Sequence, residues 1–313
     1  MTVNIIMATY NSNGYIKEQI SSILSQTYCD FKLLIRDDGS TDNTVEDIMS
    51  MAVIDERIIL VKDNIESKGV GENFKNILRS SETDYIFLAD QDDVWHENKL
   101  EELLCFAKEN FIAHVPCIAY APGRVVDENL VYTEKLTDCS LKIERLDDMF
   151  LMNGGVQGCA MLINKEMRNI VLRQNFKWHM HDQVLSLYAI CFGKIFFLNK
   201  ELFLYRQHSY NVVGYNSNSF FSKIKKYFST HTFLINSTSL ELFSDFYKNE
   251  KNNLAVQDEK KILDFLRAVN CNKFKFLCYM LRGRVRLHKS FLQAFLKSFF
   301  VTKIVQDKGS ASN

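Results

Sequence analysis

Carboxylates crowd two short strings of this chain. Asp-Asp-Gly-Ser-Thr-Asp runs from Asp37 to Asp42, and Asp-Gln-Asp-Asp runs from Asp90 to Asp93. A further acid, Asp182, follows His181 at the head of an apolar stretch containing Val184, Leu185, Leu187 and Tyr188. Acids set this close repel one another unless a cation or hydrogen-bond donors answer them, and each one left desolvated and unpaired costs on the order of several kcal/mol. A divalent ion answers several at once, and hard oxygen ligands suit Mg or Mn, both partners of phosphate groups. Each string alone reads equally as a solvated turn with a helix cap. Together, each behind an apolar run and the second beside Trp95, they point to one shared site. His208, three residues beyond the run Leu202–Tyr205 and next but one to Arg206, is a third metal ligand, a phosphate donor or a structural histidine. His179 and His181 flank Met180, but no further ligands stand at a spacing that would make a zinc site.

The elements that must position these residues form an alternating pattern. Apolar runs at Val3–Ala8, Phe31–Ile35, Ile58–Val61 and Tyr85–Ala89 predict buried parallel strands, separated by amphipathic stretches at Gly14–Ser25, Thr41–Ala52 and Glu72–Arg79 that predict crossover helices. In open sheets of this kind ligands sit beyond the carboxyl ends of the strands. Thr9, Tyr10 and Asn11 follow the first run, the Asp37 string the second and the Asp90 string the fourth, so all become candidates for chemistry.

At this point the chain resembles a known family. Ala8–Asn11 (ATYN), Arg36–Asp42 (RDDGSTD) and Leu88–Trp95 (LADQDDVW) are similar to the motifs of family 2 glycosyltransferases with the glycosyltransferase-A fold, and the last is similar to a branch of rhamnosyltransferases of surface polysaccharide assembly. The resemblance extends over residues 1–215 through Gly69–Leu78, Gly154–Lys165, Met180–Ala189 and Tyr205–Gly214. It implies an α/β glycosyltransferase-A fold with a mostly parallel central sheet and a C-terminal helical extension, hence a catalytic domain at 1–215 and a helical region at 216–313. It also implies roles. Asp38 would accept a hydrogen bond from the imide of uracil or thymine, with Thr9, Tyr10 and Asn11 lining the base and ribose pocket. Asp90 would hold the ribose or a metal-bound water, and Asp92 the Mg or Mn ion bridging the diphosphate, with His208 as a further ligand. Asp93 would orient the acceptor or cap the next helix. Asp182 would be the general base of an inverting transfer, although the same position suits a helix N-cap. Gly155 and Gly158 bring flexible backbone before an apolar strand, which fits close approach to the donor sugar or acceptor and equally fits a bulge.

The implied partners are a dTDP- or UDP-sugar and a glycan acceptor linked to a polyprenyl diphosphate at the inner leaflet of the membrane. Two other classes compete. A sugar-phosphate nucleotidyltransferase would carry a glycine-rich, basic phosphate loop after the first strand, where this chain has ATYNSNGY. A non-catalytic scaffold of the same fold would have lost the carboxylates, and Asp38, Asp90, Asp92 and Asp182 are all present.

Composition agrees with a globular enzyme: 313 residues, 47% apolar and 24% charged, with 2 Pro and 12 Gly, exclude collagen, coiled coil and disorder. The 8 Cys are scattered without a Cys-x-x-Cys pair or a secretory leader, which reads as reduced thiols in a cytosolic protein. The formal net charge of zero hides an asymmetry. Phe265–Gln306 contains no acid but carries Arg267, Lys273, Lys275, Arg282, Arg284, Arg286, Lys289, Lys297 and Lys303. Phe220–Phe228, Leu240–Tyr247, Gln257–Val269 and Phe274–Val305 read as helices, the last with aromatic rings among its basic residues. Such a segment lies on an anionic bilayer as a peripheral anchor, or packs its rings on the core behind a solvated basic face. A nucleic-acid partner is not expected, since no recognised binding motif accompanies the charge. No window reaches the ~18 uninterrupted apolar residues of a membrane span.

Overall fold

The computed structural model describes residues 3–63, 65, 69–137, 143–209, 233–283, 285–287, 289–301 and 303–306. Tyr210–Gly214 and the expected helix at Phe220–Phe228 lie outside the described residues. The chain forms two compact units, Met1–Leu141 with Val156–Gly214, and Lys142–Gly155 with Tyr215–Asn313.

In the first unit β1 (Val3–Thr9), α1 (Ile16–Leu24), β2 (Phe31–Asp37), α2 (Thr44–Ala52), β3 (Ile58–Leu60), α3 (Val70–Arg79) and β4 (Tyr85–Ala89) follow the alternation in the sequence. All of β1 is buried, as expected of a central strand covered on both faces. Ile16, Ile20 and Ile23 of α1 recur at helical spacing and are buried. Next come β5 (Val94–Trp95), α4 (Lys99–Asn110), β6 (Cys117–Tyr120), β7 (Arg124–Val126) and β8 (Tyr132–Leu136). After α5 (Leu146–Met149), which belongs to the second unit, the first unit resumes with β9 (Met161–Asn164), α6 (Lys165–Val171), α7 (His181–Phe192), β10 (Lys194–Phe197) and β11 (Phe203–Arg206).

The main sheet has the order β10-β6-β9-β4-β1-β2-β3, parallel except at β9, which runs antiparallel to both neighbours. A smaller sheet has the order β5-β11-β7-β8. Thr9 is in register with Asp37 and Met7 with Ala89, so the loops after β2 and β4 leave the sheet on either side of the loop after β1.

Among the described residues the second unit contains α5 and four longer helices, α8 (Ser237–Glu250), α9 (Val256–Val269), α10 (Lys273–Gly283) and α11 (Phe291–Phe300), with the short parallel pair β12 (Phe233–Ile235) and β13 (Lys303–Val305). A boundary at 215 assigns Lys142–Gly155 to the catalytic part, but these residues cluster with the C-terminal helices. The reason is apolar: Phe150 stacks on Phe265 at 4.3 Å and meets Phe243 edge-on at 5.4 Å. The continuous helix expected over Phe274–Val305 is also broken. Leu287 and Ser290 exchange backbone hydrogen bonds, and the Ser290 hydroxyl caps α11 by accepting from the Gln293 amide.

Candidate active site

The loops after β1 and β2 are tied to each other by the side chains expected to line a pocket. Thr9 is 1% exposed and donates its hydroxyl to Asp37 Oδ1 at 2.9 Å. It therefore supports the rim from behind, with no surface to offer a ligand. Asp37 also accepts from the amides of Gly39 and Ser40, which folds the turn. Asn11 is left-handed (φ 45°), and its side-chain oxygen accepts from the Thr41 amide at 2.8 Å. Tyr10 is 55% exposed, the open member of the three, and its backbone is fixed at both ends by the Gln91 amide (2.9 and 3.0 Å). Asp38 accepts from Gly69 N at 3.1 Å and lies 3.6 Å from Arg36 Nη1. The buried Arg36 guanidinium is raised first by its hydrogen bonds to Asp63, and also reaches Asn73. Asp38 thus stands on a preorganised floor between β1 and the start of α3.

The loop after β4 is clamped by partners distant in sequence. Buried Gln19 donates to the Asp90 carbonyl at 2.9 Å. Arg206, at the end of β11 and 2% exposed, donates Nε to the Asp92 carbonyl at 2.9 Å and Nη1 to the Glu128 carbonyl at 2.8 Å, and pairs with Glu18. Its guanidinium lies 4.7 Å from the Tyr15 ring, and Tyr15 in turn stacks on His208 at 4.7 Å. His208 Nε2 meets Asp92 Oδ2 at 2.8 Å. Arg206 and His208 therefore grip Asp92 by backbone and side chain, with Tyr15 as the spacer that both lean on. Tyr15 and Gln19 escape a reading by motif, since one is the N-cap of the first helix and the other lies within it; what the sequence did carry was a polar glutamine on that helix's buried face.

Beneath the rim lies a buried floor. Asp93 is neither an exposed acceptor-facing group nor the cap of α4, whose N-cap is Asn98; it is fully buried. One of its oxygens accepts from Arg206 N at 3.3 Å, and the other is enclosed without a well-formed hydrogen bond. Desolvation first, then the charges of Asp92 and Asp90, push its carboxyl well above the usual range. Lys99 is fully buried beside it, donating to the Cys159 carbonyl at 2.7 Å between the rings of Trp95 (3.8 Å) and Phe203 (4.3 Å). Burial brings this ammonium down to about 8, opposed by the neighbouring acids. Asp90 is pushed up to about 7, chiefly by desolvation and then by the charges of Asp92 and Asp182. The charges of Asp92, in the β4 loop, and Asp182, at the start of α7, are thus both felt at Asp90.

The ligand atoms of Asp90, Asp93 and Cys159 lie within 4.8 Å of one another. That trio suits a hard cation poorly: Lys99 is already among them, and burial raises the Cys159 thiol far above its ordinary range. Of the residues expected to hold a metal, Asp92 and His208 meet at 2.8 Å, whereas the Asp90 carboxylate groups with Asp93 and Cys159; a carboxylate oxygen and an imidazole nitrogen are donors that Mg or Mn accepts.

Asp182 lies in the first turn of α7, and its Oδ1 accepts from the Gln183 amide at 2.7 Å. Its neighbour His181 is buried, stacks on Phe74 at 3.7 Å, and among the described residues has no hydrogen-bond partner at either ring nitrogen. Burial drives it down to about 3, so the imidazole is neutral. Gly158 serves this ring: a Cβ there would lie 2.1 Å from His181 Nε2. The space expected for a donor or acceptor is occupied by histidine. Gly155 is half-buried and belongs to the second unit.

The model of the family "Glycosyl transferase family 2" matches residues 4–171. The dTDP-rhamnosyl transferase RfbG of Shigella flexneri is 30% identical over 235 residues, covering 70% of this chain and 77% of that protein. The UDP-Glc:alpha-D-GlcNAc-diphosphoundecaprenol beta-1,3-glucosyltransferase WfgD of Escherichia coli is 29% identical over 167 residues, 53% of this chain and 62% of that one. Among solved structures, S. aureus TarS 1-349 in complex with UDP-GlcNAc superposes with a TM-score of 0.58 at 16% identity, over 95% of this chain and 88% of that one.

Proposed function

The chain belongs to glycosyl transferase family 2, and from that premise we propose that it moves a sugar from a nucleoside diphosphate to a growing surface glycan with inversion at the anomeric carbon. Rhamnose on dTDP is the first donor to test, by likeness to RfbG, and glucose on UDP the second, by likeness to WfgD. In this reading Asp38 recognises the pyrimidine imide and exposed Tyr10 covers the base, with Thr9 and Asn11 holding the loops that carry them. A Mg or Mn ion held by Asp92 and His208, with Asp90 holding the ribose or a water on that ion, would supply the positive charge that the departing diphosphate needs. Arg206 and Tyr15 fix Asp92 and His208 before substrate arrives. Asp182 takes the proton of the acceptor hydroxyl as that oxygen bonds to the anomeric carbon and the bond to the diphosphate breaks on the opposite face.

The acceptor is a glycan on polyprenyl diphosphate, which places the enzyme peripherally at the inner leaflet; the diphosphoundecaprenol acceptor in the name of WfgD supports this. The observation that carries the proposal is geometric: the Asp92 side chain is held by His208 at 2.8 Å and its carbonyl by Arg206 at 2.9 Å, and Asp182 lies near enough for its charge to reach Asp90, which supports a cation seat and a candidate base on one rim. The test is a thermal-shift screen of dTDP-rhamnose, UDP-glucose and UDP-GlcNAc with and without Mn, followed by transfer to a lipid-linked acceptor. One sugar nucleotide raises the melting temperature in a Mn-dependent way, and Asp92→Asn abolishes that dependence. Equal shifts with and without Mn in both forms would remove the metal from the reading.

A further inference from the structure

The two basic helices of the second unit turn their apolar residues outward. In α11 the buried positions are the small Ala294 and Ser298, whereas Leu292, Leu296, Phe299 and Phe300 are 64%, 45%, 54% and 44% exposed. Positions 292, 296, 299 and 300 recur at i, i+4, i+7 and i+8, so they form one stripe along the helix. In α10, Phe276 and Met280 pack inward while Phe274 (75%) and Leu281 (52%), seven residues apart, face out. Lys273 Nζ donates to the Val301 carbonyl at 2.6 Å, tying the start of α10 to the end of α11. A globular surface scatters such residues singly; two packed helices that each expose a row of them present a face that needs a cover.

The charges around this face indicate the cover. Arg286 and Lys289 are engaged inside the unit, with Asp148 at 2.6 Å and Glu144 at 2.8 Å. Lys275 and Arg282, by contrast, are exposed on α10 next to Phe274 and Leu281. No acidic residue occurs from Phe265 to Gln306 to repel an anionic surface. No described helix is long and apolar enough to cross a membrane, so the arrangement suits an in-plane seat, with rings and leucines dipped below headgroups that basic residues contact.

We propose that the exposed stripes of α10 and α11, flanked by Lys275 and Arg282, are the seat of this protein on an anionic lipid bilayer. This deepens the localisation proposed above by naming the surface, and it is tested without donor or acceptor, so its failure leaves the glycosyl transfer reading standing.

The experiment is co-sedimentation of the full chain with vesicles of phosphatidylcholine alone or mixed with phosphatidylglycerol. The native protein sediments with the anionic vesicles and stays in the supernatant with the neutral ones. K275Q/R282Q lowers the partition coefficient by about 25-fold, about fivefold per charge, and loses most of its salt dependence. L292Q/L296Q/F299Q lowers it by about tenfold or more, while both variants keep the native melting temperature. Equal sedimentation of native and variant proteins overturns the proposal. So does a concentration-dependent dimer in light scattering that L292Q/L296Q/F299Q abolishes, since the face would then be covered by a second copy.

Discussion

Replacing Gly158 by alanine tests how the start of α7 is held. The added Cβ would lie 2.1 Å from His181 Nε2 and 2.9 Å from Cε1, against ordinary contacts of about 3.5–4 Å. The ring has no free direction on its other side, because Phe74, itself 1% exposed, stacks on it at 3.7 Å. Something must move by about 1 Å. Overpacking of this kind costs about 1–3 kcal/mol, and each kcal/mol lowers the melting temperature of a unit this size by about 2–4 °C. His181 is bonded to Asp182, so the same shift carries the candidate base away from its place; a displacement of about 1 Å costs on the order of 100-fold in turnover. Scanning calorimetry and steady-state transfer kinetics measure both losses. His181→Ala in the same chain removes the clash, so the double variant is more stable than additivity of the single changes predicts, by about 0.5–3 kcal/mol. A Gly158→Ala protein with native stability and turnover, or a strictly additive double variant, would refute the packing argument.

Three further outcomes follow from the same geometry. Asp182→Asn retains Mn-dependent nucleotide binding but lowers kcat by about 100-fold or more, and near-native turnover would move the base to another residue. Tyr15→Leu, which removes the ring between Arg206 and His208, weakens Mn binding measured by calorimetry, whereas Tyr15→Phe restores it; equal affinities in both would show that Asp92 needs no such spacer. His181 is held neutral, with its folded value about 3 against an ordinary 6.5, so its contribution is complete above about pH 6.5 and lost as pH falls toward 3. From pH 7 to pH 5 this amounts to about 2 kcal/mol, and His181→Phe makes the acid-side fall in melting temperature shallower by that amount; Asp90, pushed upward, titrates with the opposite sign in both proteins, and parallel pH profiles would contradict the buried neutral ring.

The strands that end at Thr9, Asp37 and Ala89 are legible in the sequence because a central parallel strand is apolar on both faces, a signal that few other local environments produce. The two acidic strings are legible for the same reason, as polar residues that follow such runs. What the residues at those ends do is less legible. Thr9 and Asn11 look the same in sequence whether they face a ligand or a neighbouring loop, and here they tie loops together. The clamp on Asp92 was hidden because its parts, Tyr15, Glu18 and Arg206, are brought together only by the fold. Lys99 reads as a surface residue at the start of a helix, and its burial depends on Trp95 and Phe203 closing over it. In the tail, charge and aromatic content mark an unusual surface, but the inward and outward sets of rings separate only once the break at Leu287–Ser290 sets the phase of α11.

The clamp also sets a minimum length for a working chain. Residues 4–171, the portion with the family's signature, include both acidic loops and six of the seven strands of the main sheet. Yet Arg206 reaches back 114 positions to the Asp92 carbonyl and 188 to Glu18. A nascent polypeptide that has left the ribosome only as far as Val171 therefore carries the acids of the candidate site without the hand that holds them. Competence arrives late in synthesis, when β11 docks against β7 and closes the longest loops in the unit.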